Sequence, residues 1–588
     1  MPKEYYHNKA NELQTSIAAL RKRLIAFSML RLGVFFAIIA AVYFFYGNFM
    51  MISISSAVGL FLFFFLVTRF SDLKNKQRYL NSMLKINQLE LAVLDGDISE
   101  LKTGDQYIFE EHDFNQDIDL FGQGSLFQII NRTATPNGEK HLADWLNSNT
   151  IDQIAEKQQA TEELGSKIEW RQKYTVVASL IESDIQSQDI LKWVKNYKTF
   201  VPPFLNWFPI LFSTLSLALF TTYVLDLVPI GALIGWMFLG FTISGVYFKK
   251  VTALYNITSK INDTLAQYSK LLKLIENEDF ESELLIKWKN EIQSKDIKAS
   301  EHLENLAQEI THLANRNNLL YGFVSSAFLL LDLRYSFKIE KWLKEFDGAM
   351  GDWFEAIERF DAINSLGNYR FNHPNYIYPE IVSDHKQQLM AQDIGHPLLS
   401  PNSIVTNSIE VSTEDFFIIT GANMAGKSTF LRTVAVNLVM ANNGLPVCAK
   451  SFKYRPVKLI SSMRTSDSLM NDESYFFSEL KRLKFIVDAI KTDTYFIILD
   501  EILKGTNSKD KAEGSQKFVE KLVGSKSTGL IATHDLSLCK LADTLPQIRN
   551  YYFDAEIVND ELFFDYTFKK GICQNMNASF LLKKMEIV

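Results

Sequence analysis

The chain has 588 residues, of which 61 are basic and 68 acidic, a net charge of −7 and 22% charged residues. That length calls for several domains, and the acidic balance excludes binding to nucleic acid through bulk positive charge, though not through a local patch. Three widely spaced cysteines, Cys448, Cys539 and Cys573, form no metal pattern and fit a reduced cytoplasm.

Residues 1–26 read as a polar amphipathic helix. Residues 27–70 read as a first transmembrane hairpin, since no charge falls between Arg31 and Arg69 and Gly47-Asn48 breaks the run near its middle. One span needs about 20 apolar residues, so this stretch holds two. It is too long for a secretory signal and no small-residue cleavage pattern follows. Residues 71–198 are expected to be mostly helical, with a Gln-, Glu- and Lys-rich helix over 151–173.

Residues 199–248 read as a second transmembrane hairpin inserted within the helical region. Uncharged runs lie on either side of Asp226, Pro229 marks the turn, and Lys249-Lys250 close the segment. Trp207, Tyr223 and Tyr247 suit the two interfaces. Such uniform, Phe-rich runs leave no polar face for a soluble helical hairpin. Lys22, Arg23, Arg31, Arg69, Lys74 and Lys76 flank the first hairpin. Lys192, Lys195, Lys198, Lys249 and Lys250 flank the second, and the turns carry almost nothing positive. The positive-inside bias then places both termini and all soluble parts in the cytoplasm. The expectation is a multi-pass protein of the cytoplasmic (inner) membrane that meets lipid through four transmembrane helices.

Residues 249–390 are expected to complete the helical part, with long amphipathic helices over 251–318. The apolar run at 319–331 has only about 13 residues and is followed at once by Asp332 and Arg334. It is short for a span and reads as a buried core helix.

Residues 391–588 read as an α/β nucleotide-binding domain. Phe416 to Thr420 form a short buried strand, and Thr429 to Met440 a helix. Between them Gly421-Ala422-Asn423-Met424-Ala425-Gly426-Lys427-Ser428 fits the phosphate-binding pattern G-x-x-x-x-G-K-[ST]. Glycines let backbone N–H groups converge on phosphate oxygens. Lys427 can reach the β and γ phosphates, Ser428 can offer its hydroxyl to Mg²⁺, and the helix beginning at Thr429 points its N-terminus at the anion. The cofactors implied are ATP and Mg²⁺.

A second apolar strand, Phe496 to Leu499, ends in Asp500-Glu501, where Asp500 suits a Mg²⁺ ligand and Glu501 a base that orients or deprotonates the attacking water. A third, Gly529 to Thr533, ends at His534, which suits a hydrogen-bond donor to a γ-phosphate. Lys427, Glu501 and His534 are thus the candidate catalytic set. Between the first two strands, apolar residues at 476, 477, 480 and 483 repeat with helical spacing, and Ser474 lies where that helix would start, able to meet an anion from a second subunit. Residues 551–568 look like paired strands around Asn559-Asp560. His396 and residues 404–407 are candidates for the nucleotide base.

These motifs together resemble the MutS-type mismatch-repair ATPases. The Asn423-Met424 pair within the loop, Leu499-Asp500-Glu501-Ile502 with Lys504-Gly505-Thr506-Asn507, and Ala532-Thr533-His534 are similar to that family's motifs. Ser474-Tyr475-Phe476 with Glu479 is similar to its signature helix, which completes the site of the opposite subunit. Gly124-Ser125-Leu126-Phe127 and residues 131–138 resemble the start of its helical core domain, and Gly395-His396-Pro397-Leu398 the segment that introduces its ATPase domain. The resemblance covers roughly 118–200 and 251–588.

It implies a multidomain fold, an α-helical core and lever domain followed by a C-terminal α/β P-loop (ABC-type) ATPase domain; the transmembrane hairpins read from the uncharged runs are joined to its helical part. It also implies ATP hydrolysis in a composite site, a homodimer, and binding of mismatched or irregular DNA. The departures are a missing mismatch-reading front domain, a 251–318 region too short for a full DNA clamp, no nuclease-like tail, and the acidic Asn471-Asp472-Glu473 before Ser474. Two other readings stay open. One is an ATP-binding-cassette transporter, against which stand the missing Leu-Ser-Gly-Gly-Gln segment and the uncharged spans. The other is an ATP-switched membrane scaffold that never touches DNA.

Overall fold

In a computed structural model, the described residues are 2–109, 111–181, 187–293, 298–400, 402–464, 475–504, 508–558 and 561–574. Two helices, Pro2–Phe44 and Phe49–Leu94, form an antiparallel pair around the Gly47-Asn48 turn. Gly47 takes φ 90°, and Asn48 caps the second helix by accepting from the Met51 N–H at 3.2 Å. Neither helix breaks at the predicted borders, residues 26 and 70. No helix breaker occurs there, so each rod runs unbroken from its apolar half into its charged half.

At the soluble end, Glu90 anchors the second rod to the core. It pairs with Arg132 Nε at 2.6 Å and accepts from Asn368 and Asn372 at 3.0 and 2.7 Å. The 131–138 motif has a related structural meaning. Thr135 caps the helix Pro136–Asn147, and buried Asp361 accepts from the N–H groups of Ala134 and Thr135 and from the Thr135 hydroxyl. A Cβ on Gly138 would lie 2.3 Å from that carboxylate, so only glycine fits. Burial pushes the Asp361 carboxyl up to about 6.

The second apolar pair is Phe208–Val224 and Ile230–Asn277, turning at Asp226 (φ 56°) with Pro229 before the second helix. Phe212 stacks on Trp236 at 4.6 Å between ring centroids, and the indole N–H donates to Ser216 Oγ at 2.7 Å. Among the described residues, three helices are long and apolar enough to cross a membrane: Pro2–Phe44, Phe49–Leu94 and Ile230–Asn277. The expected fourth, Phe208–Val224, has 17 residues, about 26 Å of helix against a hydrocarbon core of about 30 Å. Ile230–Asn277 spans 48 residues without a break, so the apolar hairpin and the predicted lever helix are one rod.

The run at 319–331 is not a buried core helix. It is a short helix, Leu319–Val324, followed by a π turn, Ser325–Leu329, and a left-handed Leu330 (φ 51°). Ser325, Ala327 and Leu330 are buried, whereas Leu319, Leu320, Phe323 and Val324 are exposed. The helix 151–173 is likewise two helices, Ile154–Ser166 and Ile168–Ser179, hinged at Lys167.

The α/β region begins before residue 391. Strands Glu380–Ile381 and Gln387–Ile394 join Ser451–Tyr454 and Asn407–Ser412 in a four-stranded sheet. Beside it is a six-stranded sheet. Its centre is the wholly buried Phe416–Gly421, parallel to Ile548–Phe553 on one side and Thr528–Ala532 on the other. Tyr495–Asp500 and Lys458–Ser462 extend it in parallel, and Lys569–Lys570 adds an antiparallel edge. Glu556–Val558 pairs with Glu561–Phe563; their predicted turn, Asn559-Asp560, lies outside the described residues.

Candidate nucleotide site

Parallel register brings the predicted site residues together. Ile419 and Asp500 both pair with Ala532, so the chain beyond each of these three strands emerges on one edge of the sheet. Two backbone bonds fix the ends: Glu501 N–H to the Ala532 carbonyl at 2.9 Å, and Thr533 N–H to the Ile419 carbonyl at 3.0 Å. The phosphate loop leaves the central strand and enters the helix Lys427–Asn442. Gly421 (φ 154°) and Gly426 (φ 103°) carry its tight bends, and a Cβ on Gly421 would lie 2.6 Å from the Phe553 carbonyl oxygen.

One cavity of about 710 Å³ opens at this edge, within the usual range for ligand pockets. Asn423, Met424, Gly426, Lys427, Ser428, Thr429, Asp500, Glu501 and His534 all line it. Of the other predicted loop residues, Gly421 ends the strand, and Ala422 and Ala425 are buried beneath the loop. Ser474 lies outside the described residues, as do Gly505, Thr506 and Asn507.

Lys427 is 6% exposed, and its ammonium donates to the carbonyls of Gly421 and Ala422, both at 2.9 Å. Burial pulls its pKa down, with Asp500 and Glu501 opposing. His534 Nε2 lies 3.1 Å from Glu501 Oε1 and 3.3 Å from Lys427 Nζ. One ring nitrogen cannot both donate to the carboxylate and accept from the ammonium. The carboxylate bond is the shorter and charge-assisted, and Lys427 already has two carbonyl partners. Glu501 (φ 60°), Leu503 (φ 58°) and Met424 (φ 66°) take left-handed backbone without being glycine, a strain of order 1–3 kcal/mol each that concentrates at functional sites.

The hydrogen bond from His534, opposed by burial, holds the Glu501 carboxyl at about 2, so its charged form persists well below neutral pH. His534→Ala removes that donor, and the Glu501 pKa rises toward the ordinary carboxylate value of about 4.3. ATP turnover is then expected to fall off on the acid side within pH 4–6 in the variant and to stay level there in the parent. Steady-state rates across that range check it.

Ser428 and Asp500, which both line the cavity, offer oxygen donors that suit a hard cation such as Mg²⁺. The lining also holds Lys504, of the motif after Glu501, and residues not expected from sequence: Leu399, Phe430, Phe553 and Tyr566. His396, Val405 and Asn407, within the base-binding candidates, do line it. Burial holds His396 at about 4, neutral at physiological pH. Asn407 clamps the far wall, donating to the Tyr566 carbonyl at 3.0 Å and accepting from the Phe568 N–H at 2.8 Å. That contact spans about 160 residues of chain and leaves no local signal.

The helix Tyr475–Ala489 is tied to the site within the same chain: Glu479 Oε1 accepts from the Lys504 N–H at 3.1 Å. Segment 112–119 is held by the α/β region from three directions. Arg432, on the phosphate-loop helix, reaches the Asp117 carbonyl and Asp119 Oδ2 at 3.1 and 3.2 Å. Arg482 donates to the carbonyls of His112 and Asp113, and Asp117 accepts from Ser461 Oγ at 2.6 Å and the Arg464 N–H at 2.7 Å. Asp117→Ala leaves the buried Ser461 hydroxyl without its acceptor and is expected to cost about 2–3 kcal/mol. A lowered urea midpoint of the full chain measures it.

The family profile described as MutS domain V matches residues 417–584. The MutS protein homolog 4 of Homo sapiens is 30% identical over 224 residues, 36% of this chain and 23% of that protein. The DNA mismatch repair protein MutS of Staphylococcus haemolyticus is 29% identical over 280 residues, 46% of this chain and 31% of that protein. That of Caldanaerobacter subterraneus is 32% identical over 193 residues, 32% of this chain and 22% of that protein. The chain thus spans less than a third of the length of each of these relatives, and the C-terminal region carries the similarity to MutS domain V.

Proposed function

We propose that this chain is a membrane-anchored ATPase of the MutS type that binds MgATP, hydrolyses it in a site shared by two copies, and passes the motion to its helical region. The observation that carries this reading is the grouping of Lys427, Ser428, Asp500, Glu501 and His534 on one cavity at the edge of a parallel sheet. Lys427 neutralises phosphate charge, and Ser428 and Asp500 hold Mg²⁺, which supplies charge stabilisation at the transferring phosphoryl group. Glu501 orients the attacking water and takes its proton, and His534 keeps Glu501 aimed and ionised. ATP hydrolysis by the detergent-solubilised chain, dependent on Mg²⁺, tests this; no hydrolysis with ATP bound would leave a switch and remove the enzyme.

Anchoring in the cytoplasmic membrane is supported by the apolar, almost wholly exposed stretches of the three long helices. Retention in the membrane after alkaline carbonate extraction is the expected result. DNA binding is supported by the mismatch-repair relatives of the ATPase region. Binding of mismatched duplex should fall linearly on a log–log salt plot. Absence of binding, with or without ATP, would remove the DNA part and leave the membrane ATPase.

A further inference from the structure

The short segment between Asn315 and Asp332 does not fit a soluble core. Helix Ala299–Ala314 leads into it and helix Leu331–Phe346 leaves it. Its outer face is apolar and open, with Leu319 and Leu320 84% and 76% exposed. Its inner face lies on the second apolar hairpin. A Cβ on Gly240 would fall 2.1 Å from the Ala327 carbonyl oxygen, and at the rim between the two faces the half-exposed Phe323 touches Phe241 at 5.3 Å between ring centroids.

The π turn and the left-handed Leu330 take carbonyls out of the regular helical ladder. Three of these carbonyls lie within hydrogen-bond reach of hairpin hydroxyls: Phe328 of Ser216 at 2.7 Å, Leu329 of Ser213 at 3.1 Å and Ser326 of Ser244 at 3.2 Å; Ser216 and Ser213 share their protons with the Phe212 and Pro209 carbonyls of their own helix, at 2.8 and 2.7 Å. In water such carbonyls need no help. In hydrocarbon, irregular backbone survives only where protein groups satisfy it, and serine side chains are a usual means.

Depth follows from the hairpin. Gly240 lies nine residues before Lys249, about 14 Å along the helix and close to half a hydrocarbon core of about 30 Å. Both ends of the segment return to one level. Arg316 Nε and Asp332 Oδ2 stand 3.5 Å apart, Asp332 also accepts from Ser325 Oγ at 3.0 Å, and the Arg316 guanidinium lies 5.2 Å from the Phe248 ring, next to Lys249. A segment whose two ends share that level enters and leaves on the same side.

We propose that residues 319–330 form a re-entrant segment that dips into the bilayer from the side of the ATPase domain, docks on the second hairpin, and presents Leu319, Leu320, Phe323 and Val324 to lipid acyl chains. This rests on the membrane reading given above. Lipid is the occupant because the outward residues join the exposed apolar residues of the hairpin, Leu217, Phe220, Phe238 and Leu239, and because three carbonyls of the inner face meet hairpin hydroxyls. The docked segment also widens a hairpin whose first helix is short for a span.

The test uses the full chain with Cys448, Cys539 and Cys573 changed to alanine, in phosphatidylcholine–phosphatidylglycerol vesicles. An environment-sensitive nitrobenzoxadiazole label is placed by Phe323→Cys, by Leu217→Cys on the hairpin, or by Lys344→Cys on the helix beyond. Doxyl-labelled lipids should quench the first two labels and leave the third. Gly240→Leu should abolish quenching at position 323 and keep it at 217. Ser213→Ala with Ser216→Ala, which adds no volume, should weaken it at 323. Quenching at 217 without quenching at 323 overturns this proposal and spares the membrane reading; absence at both overturns the membrane reading itself. Self-quenching between copies at 323 without lipid quenching assigns the face to a second copy and also overturns it.

Discussion

Glu501→Gln is expected to bind ATP as the parent does and to hydrolyse it about 10²–10⁴-fold more slowly, the usual contribution of a positioned general base. The substitution keeps the side chain's size and an oxygen that can accept from His534 Nε2, so the 3.1 Å contact survives. It removes only the charge that takes the proton from water. Because His534 holds the Glu501 carboxyl at about 2, the parent is fully ionised at neutral pH and the whole loss appears in kcat. Single-turnover hydrolysis alongside equilibrium binding of a fluorescent ATP analogue separates the two effects. Turnover within threefold of the parent would assign the base to another residue.

Lys427→Ala is expected to act on binding. The ammonium is buried at the mouth of the phosphate loop with two carbonyl partners at 2.9 Å. Truncating one member of a buried, hydrogen-bonded charge pair costs about 2–5 kcal/mol. That corresponds to a loss of affinity from roughly 30-fold to several thousand-fold. Stability without nucleotide should change little, since the substitution also removes a buried charge whose pKa burial already depresses. The readout is thermal stabilisation by MgATP, which at a ligand concentration saturating the parent should be smaller in the variant by about the same 2–5 kcal/mol. Equal stabilisation in both would mean that ATP binds elsewhere.

The phosphate-loop region is joined directly to the helical part that precedes it. Arg432 shares the phosphate-loop helix with Lys427, and Arg482 lies on the helix that Glu479 ties to the chain after Glu501. Both arginines grip segment 112–119. A shift of either helix therefore pulls on the same piece of the preceding helical part. The rods Phe49–Leu94 and Ile230–Asn277 continue from that part into the apolar hairpins without a break.

The grouping of the candidate site residues was local in origin and hence legible in the sequence. The phosphate loop, Asp500-Glu501 and His534 each directly follow a short apolar strand, and strand ends in a parallel sheet share one edge whatever the surroundings. The two apolar helix pairs were equally legible, because Gly47-Asn48 and Asp226 with Pro229 each interrupt a long uncharged run. Tertiary structure alone decided the rest. The Asn407 clamp on residues 566–568 and the Asp117 network join residues far apart in the chain and leave no periodic trace. Helix borders moved because a change from apolar to polar composition does not end a helix; only a breaker or a cap does. The apolar run at 319–331 was misread for a related reason. Its composition serves a buried helix and a short helix with a π turn alike, and only the contacts with Gly240 and three serine hydroxyls of the neighbouring hairpin distinguish them.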